Sequence, residues 1–109
     1  MIRGVLGAAL LTTPALAETQ VQNGRYTCDR DVEIPAVYVN ADDLSLVVLQ
    51  VDGTQVLLYN EPAASGARYA SPSDGSGYVW WTKGNEATLY WKDGAVGTEA
   101  PILTCTLNH

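Results

Sequence analysis

What most limits the fold of this chain is its punctuation. From Tyr26 to the end, short runs of β-branched and aromatic residues are interrupted by turn signals at short intervals. No stretch after the first seventeen residues shows a convincing helical period with caps, although Ala95 to Ala100 is ambiguous. The strongest run is Leu44 to Val51 (LSLVVLQV). Asp52-Gly53 follows it, a pair suited to a two-residue hairpin turn in which both central positions need positive φ. Further runs are Tyr26 to about Glu33, Val37 to Val39 with Pro35 at its entry, Gln55 to Tyr59, Ala67 to Ala70, Gly77 to Lys83, Ala87 to Lys92 and Ile102 to Leu107. Glu18 to Gly24 is polar and reads as a frayed segment. About eight short antiparallel strands, with no internal repeat and no second domain, predict an all-β fold, either a small barrel or a sandwich. Both faces of LSLVVLQV are apolar, so the alternation leaves its inward face undecided.

The first seventeen residues belong to a different object. Met1-Ile2-Arg3 is a short positive start, Gly4 to Leu11 an apolar run, and Ala15-Leu16-Ala17 an A-x-A cleavage site. Residues 1–17 thus read as a secretory signal peptide, cut after Ala17, which leaves a single domain over 18–109. The apolar run is too short to span a bilayer. No Cys stands near the cleavage site to accept a lipid, so a soluble product without a membrane anchor is expected. Export makes a disulfide the best reading of the only two cysteines, Cys28 and Cys105. Buried thiols or a metal pair are the alternatives, the latter poorly supported because the only His is the last residue, His109. A bridge from the first strand to the last favours the barrel over the sandwich, because that is the seam where a barrel must close.

Six Lys and Arg stand against twelve Asp and Glu, for a formal net charge of −6, and loss of Arg3 with the leader removes one more cation. So acidic a chain is poorly matched to nucleic acid or to an anionic membrane surface, and better matched to a basic partner. Catalytic groups are scarce. A terminal His cannot be held as a general base, oxidised cysteines are not nucleophiles, and neither a P-loop nor a dinucleotide fingerprint is present. The pairs Asp29/Asp31 and Asp42/Asp43 leave a small hydrolase as a third reading, though acids beside turns are usually solvated. A binding module fits better than an enzyme, and no cofactor or metal is implied.

Two motifs stand out. Ser65-Gly66-Ala67-Arg68-Tyr69 follows a turn-prone segment, so Ser65 is expected on an exposed bend. Trp80-Trp81-Thr82-Lys83-Gly84-Asn85-Glu86 is an aromatic strand running into a tight turn. One Trp ring should point inward and the other outward. The plain readings are a surface turn for Ser65-Gly66, core or sheet packing for Tyr69 and a solvated rim position for Lys83. A hydroxyl on one loop and an ammonium at a hairpin rim is still an unusual pairing in a chain with so few cations.

At these motifs the chain resembles the MliC/PliC family of bacterial c-type lysozyme inhibitors. SGARY (Ser65 to Tyr69), VWWTKGNEATLYWK (Val79 to Lys92) and the flanking Cys28 and Cys105 carry the resemblance, with a looser match over YTCDRDVEIPAVYVNADDLSLVVL. The resemblance implies an eight-stranded antiparallel barrel closed by a disulfide, and inhibition by insertion of a loop into the cleft of c-type lysozyme. By match of motif, Ser65 and Lys83 would meet the catalytic carboxylates, while Gly66, Arg68, Tyr69 and Gly84 would shape and support the loops. In lacking a lipid-acceptor Cys the chain resembles the soluble periplasmic members. Its Ser71 to Gly77 connection is longer than the family's usual link, and whether that loop lies beside Ser65 decides if it matters to fit. A non-inhibitory envelope module that binds glycan or protein is the alternative function. Oligomeric state stays open between monomer and homodimer.

Overall fold

The computed structural model describes residues 18–72 and 74–109; the expected signal peptide lies outside the described residues. Eight strands follow in order: β1 (Gln20–Cys28), β2 (Glu33–Ala41), β3 (Leu44–Val51), β4 (Thr54–Glu61), β5 (Ala67–Ala70), β6 (Gly77–Lys83), β7 (Glu86–Asp93) and β8 (Thr98–Leu107). Each pairs antiparallel with its neighbour in sequence, and β8 returns to β1 to close a barrel. At that seam Cys28 lies opposite Cys105 and the two form a disulfide. The fold is all-β, with a single 3₁₀ turn at Asp29–Asp31 as the helical element among the described residues.

The run from Tyr26 to about Glu33 is broken by the Asp29–Asp31 turn, so that β1 ends at Cys28 and Glu33 opens β2. Three further expectations are corrected. The polar segment before Tyr26 is not frayed: Gln20 to Thr27 pairs residue by residue with Asn40 to Glu33. Gln22, Asn23 and Gly24 line the open mouth of the barrel, where water reaches both faces, so no apolar alternation marks the strand. Second, Pro35 lies inside β2 rather than at its entry. Arg25, opposite Pro35, turns its carbonyl to Asn108 beyond β8 (2.9 Å), so this pair exchanges no ladder hydrogen bonds. The ring nitrogen of Pro35 therefore faces the β3 side, where pairing begins only at Ala36, and no bond is lost. Third, β8 begins at Thr98. Pro101 is accommodated beside a bulge, Leu89 opposing Leu103 while Tyr90 opposes Pro101.

The core is the inside of the barrel, with Ile34, Val47, Leu49, Leu58, Trp80 and Leu89 among its most enclosed side chains. Val47, Leu49 and Val51 are the inward face of LSLVVLQV, which leaves Leu46 and Val48 on the outside. Ala70 and Val79, paired across β5 and β6, alternate with inward Tyr69 and Trp80, yet are only 4% and 1% exposed on the outer wall. Asp52 and Gly53 have φ of 51° and 78°, the two left-handed positions that the Asp-Gly hairpin requires.

Alternating strand directions sort the connections into two poles. One pole holds the Asp42-Asp43 turn, the β4–β5 loop, the Gly84-Asn85 turn, the start of β1 and the end of β8. The opposite pole holds the Asp29–Asp31 turn, Asp52-Gly53, the described residues between β5 and β6 (71, 72 and 74–76) and the Gly94-to-Gly97 turn. The longer connection is thus at the far pole from Ser65, where the Ser76 hydroxyl accepts the Gly94 N–H at 2.9 Å.

Candidate functional site

The two sequence motifs meet at the first pole. Ser65 lies on an exposed bend just before β5, and Lys83 ends β6. Gly66 makes their approach possible. Its φ is 66°, and a β-carbon there would collide with the Thr82 carbonyl oxygen and lie 2.8 Å from Lys83 Cγ. The bend carrying Ser65 is therefore pressed directly onto the end of β6, an approach that any side chain at position 66 blocks. On the other strand, Lys83 and Glu86 are the last pair before a two-residue turn whose first central residue, Gly84, has φ of 60°. That geometry turns the chain tightly and leaves Lys83 exposed at the rim.

Trp81 joins the motifs. As expected for adjacent strand residues, Trp80 is inside (0% exposed) and Trp81 outside. The Trp81 indole N–H donates to the Ser65 carbonyl at 2.8 Å. Its ring lies 4.8 Å below the Lys83 ammonium, and the Arg68 guanidinium carbon lies 5.3 Å from the same ring. Arg68 donates through Nε to Glu61 at 2.5 Å and through both terminal nitrogens to the two Glu99 oxygens. Glu99 lies on β8, so this paired contact reaches across strands that are not neighbours, on the outer wall where Ala70 and Val79 are buried. The Arg68 hydrogen bond holds the Glu99 carboxyl below the ordinary carboxylate range, and the same bond raises the guanidinium further.

Behind the rim the barrel mouth opens into a cavity of about 340 Å³, lined in part by Tyr26, Tyr38, Tyr69, Asn40, Thr82 and Gly84. The Trp80 indole N–H donates to the Tyr38 hydroxyl (2.9 Å), and the Tyr26 and Tyr38 hydroxyls share a hydrogen bond of 2.8 Å. Burial pushes the Tyr38 phenol well above its ordinary pKa and raises Tyr69 also.

The six motif residues thus divide cleanly. Ser65 and Lys83 are presented outward, Gly66 and Gly84 set the backbone beneath them, Arg68 buttresses the Trp81 face, and Tyr69 is core. Sequence reasoning did not find Glu61 and Glu99, which are far from Arg68 in sequence and carry no local signal. It did not assign the bridging role of Trp81, although its position two residues before Lys83 places both on one strand face.

The chain is thus a small all-β domain, a closed eight-stranded antiparallel barrel that offers a serine on one loop and a lysine on the adjoining hairpin. More narrowly, residues 26–96 match the family model described as membrane-bound lysozyme-inhibitor of c-type lysozyme (MliC), and the chain belongs to that family. It is 39% identical over 87 residues to a membrane-bound lysozyme inhibitor of C-type lysozyme from Pseudomonas aeruginosa, a match covering 77% of this chain and 65% of that one. It is 45% identical over 65 residues to a protein of the same description from Cupriavidus necator, covering 60% of this chain and 49% of that one. The chain therefore spans less than two thirds of the length of either relative. Among solved structures, Pseudomonas aeruginosa MliC in complex with hen egg white lysozyme is similar with a TM-score of 0.66 and 30% identity, over 96% of this chain and 100% of that one. PliC from Salmonella typhimurium, a periplasmic lysozyme inhibitor, shares the fold with a TM-score of 0.67 at 24% identity, over 83% of this chain and 100% of that one.

Proposed function

We propose that this protein inhibits c-type lysozyme without turnover, by placing the Ser65 loop and Lys83 in the enzyme's catalytic cleft. The observation that carries the proposal is the rim itself: Gly66 and Trp81 bring a hydroxyl-bearing bend and an ammonium together at one pole. A retaining glycosidase of this type works with two carboxyl groups roughly 5 Å apart. An ammonium supplies donors to an ionised carboxylate, and a hydroxyl can serve either protonation state. The acidic balance of the chain suits approach to a basic enzyme, and the exposed Lys83 ammonium then faces the acidic floor of the cleft. The complex of the Pseudomonas aeruginosa relative with hen lysozyme supports the choice of partner. On this reading residues 1–17 direct export to the periplasm, and 18–109 act there as one inhibitory domain.

The test is inhibition of hen egg white lysozyme by purified Ser65→Ala and Lys83→Ala variants. Both positions are exposed, so stability should change by less than about 0.5 kcal/mol. Lys83→Ala is expected to weaken inhibition by roughly 2–5 kcal/mol, as when one partner of a buried charge pair is removed. Ser65→Ala should cost roughly 1.5–3 kcal/mol. Folded, disulfide-bonded variants that inhibit as well as wild type would overturn the cleft assignment, whereas wild-type protein that fails to inhibit would leave the envelope-binding reading in its place.

A further inference from the structure

Lysine is a poor presenter of charge unless something holds it. Its four-carbon stem carries substantial rotamer freedom, which is lost when the ammonium is fixed in a complex. A serine on a glycine-flanked bend has the same problem in its backbone. In this barrel one side chain addresses both. The Trp81 indole edge holds the Ser65 carbonyl and its face lies under the Lys83 ammonium, at 2.8 Å and 4.8 Å respectively. The indole is itself fixed. It rises from the middle of β6, opposite Arg68 on β5 and Thr88 on β7, with the Tyr90 ring centroid 6.5 Å away. Arg68 lies against it with its nitrogens bound by Glu61 and Glu99, so that guanidinium is not free to swing over the rim.

We propose that Trp81 is the positioning residue of the rim, fixing the Ser65 bend and the Lys83 ammonium in one arrangement before the target arrives. The inference rests on the reading of Ser65 and Lys83 as the groups that enter the lysozyme cleft. The indole provides the most favourable π face for a cation among the aromatic side chains, and its N–H is a donor with no acceptor function. Phe retains a face and loses the donor; Leu loses both.

The experiment compares the exported protein with Trp81→Phe and Trp81→Leu, each alone and combined with Lys83→Ala, and has two readouts. One is the NMR shift of the Lys83 ε-methylene protons in the free inhibitor, without lysozyme. A side chain held over an indole is shifted upfield by the ring current. That shift is expected to persist in part in Trp81→Phe and to vanish in Trp81→Leu. The other readout is the inhibition constant against hen egg white lysozyme. Trp81→Leu should weaken inhibition about tenfold and Trp81→Phe about threefold, the sizes expected for loss of a cation–π contact with a hydrogen bond and of the hydrogen bond alone. In the Trp81→Leu background, Lys83→Ala should have a smaller effect than in wild type.

The positioning role is overturned if the Lys83 shift is the same in Trp81→Leu as in wild type, or if the two variants' fold-changes simply multiply. Where Trp81→Leu does not fold, Trp81→Phe decides: unweakened inhibition with unmoved Ser65 and Gly66 amide resonances refutes the proposal, while weakening with displaced resonances sustains it. If Ser65→Ala and Lys83→Ala leave inhibition intact, the cleft reading has failed and this proposal with it. If they impair inhibition and the Trp81 variants do not, only the positioning role is lost.

Discussion

Two glycines at the rim look alike in sequence and differ in what surrounds them. Both Gly66 and Gly84 have positive φ, but nothing lies within 4 Å of the place where a Gly84 β-carbon would stand, whereas Gly66 is packed against the β6 backbone. Gly84→Ala should therefore cost only the left-handed conformation, about 1 kcal/mol. Gly66→Ala carries that cost and a collision with backbone that cannot step aside, and should lose about 3 kcal/mol or move the Ser65 bend off β6. Urea unfolding of the two variants checks the order. Equal losses would mean that the close approach of Gly66 to Thr82 does not exist in solution. Because the collision is with Thr82 and Lys83, Gly66→Ala should also impair inhibition more than Gly84→Ala.

Among the elements, an ion pair between Arg68 and Glu99 ties β5 to β8 across the outer wall, over and above the strand pairing. Glu99 gains its partner only in the folded barrel, and Arg68 holds its carboxyl below the ordinary range. The contribution is present above the unfolded carboxylate value, about 4.3, and is lost as pH falls through the depressed folded value. With side chains 14% and 29% exposed, the pair is partly screened by solvent. Glu99→Gln should cost about 1 kcal/mol at pH 7, and the gap between variant and wild type should close in acid. A gap independent of pH would show that the Glu99 charge contributes nothing. Nothing in sequence announces this pair, because Arg68 and Glu99 are distant and their strands are not neighbours. What could be read locally was read: Leu44–Val51 occupies its expected limits, and Asp52-Gly53 its expected turn. The first half of β1 was missed because Gln22 and Asn23 border an open mouth and bury no face. Pro35 shortened β2 on paper, since a missing N–H matters only where a ladder bond would have formed.

For the whole molecule, closure is held at one seam. β1 and β8 pair through only three opposed positions, and the disulfide is one of them, joining residues 77 apart. In the chain-entropy model a loop of that length contributes about 4.5 kcal/mol. Cys28→Ser with Cys105→Ser should lower the unfolding free energy by that order, measured by urea titration. An unchanged midpoint would mean that strand pairing alone closes the barrel. The two poles have a practical meaning as well. β1 starts and β8 finishes at the rim, and the Leu107 N–H bonds the Asn85 carbonyl beside Gly84. A tag, dye or linker grafted after β8 emerges beside the Gly84-Asn85 turn and competes for space near Lys83. The Ser71-to-Ser76 connection is the natural handle, because a barrel tethered to a sensor surface from that pole holds its rim toward solution.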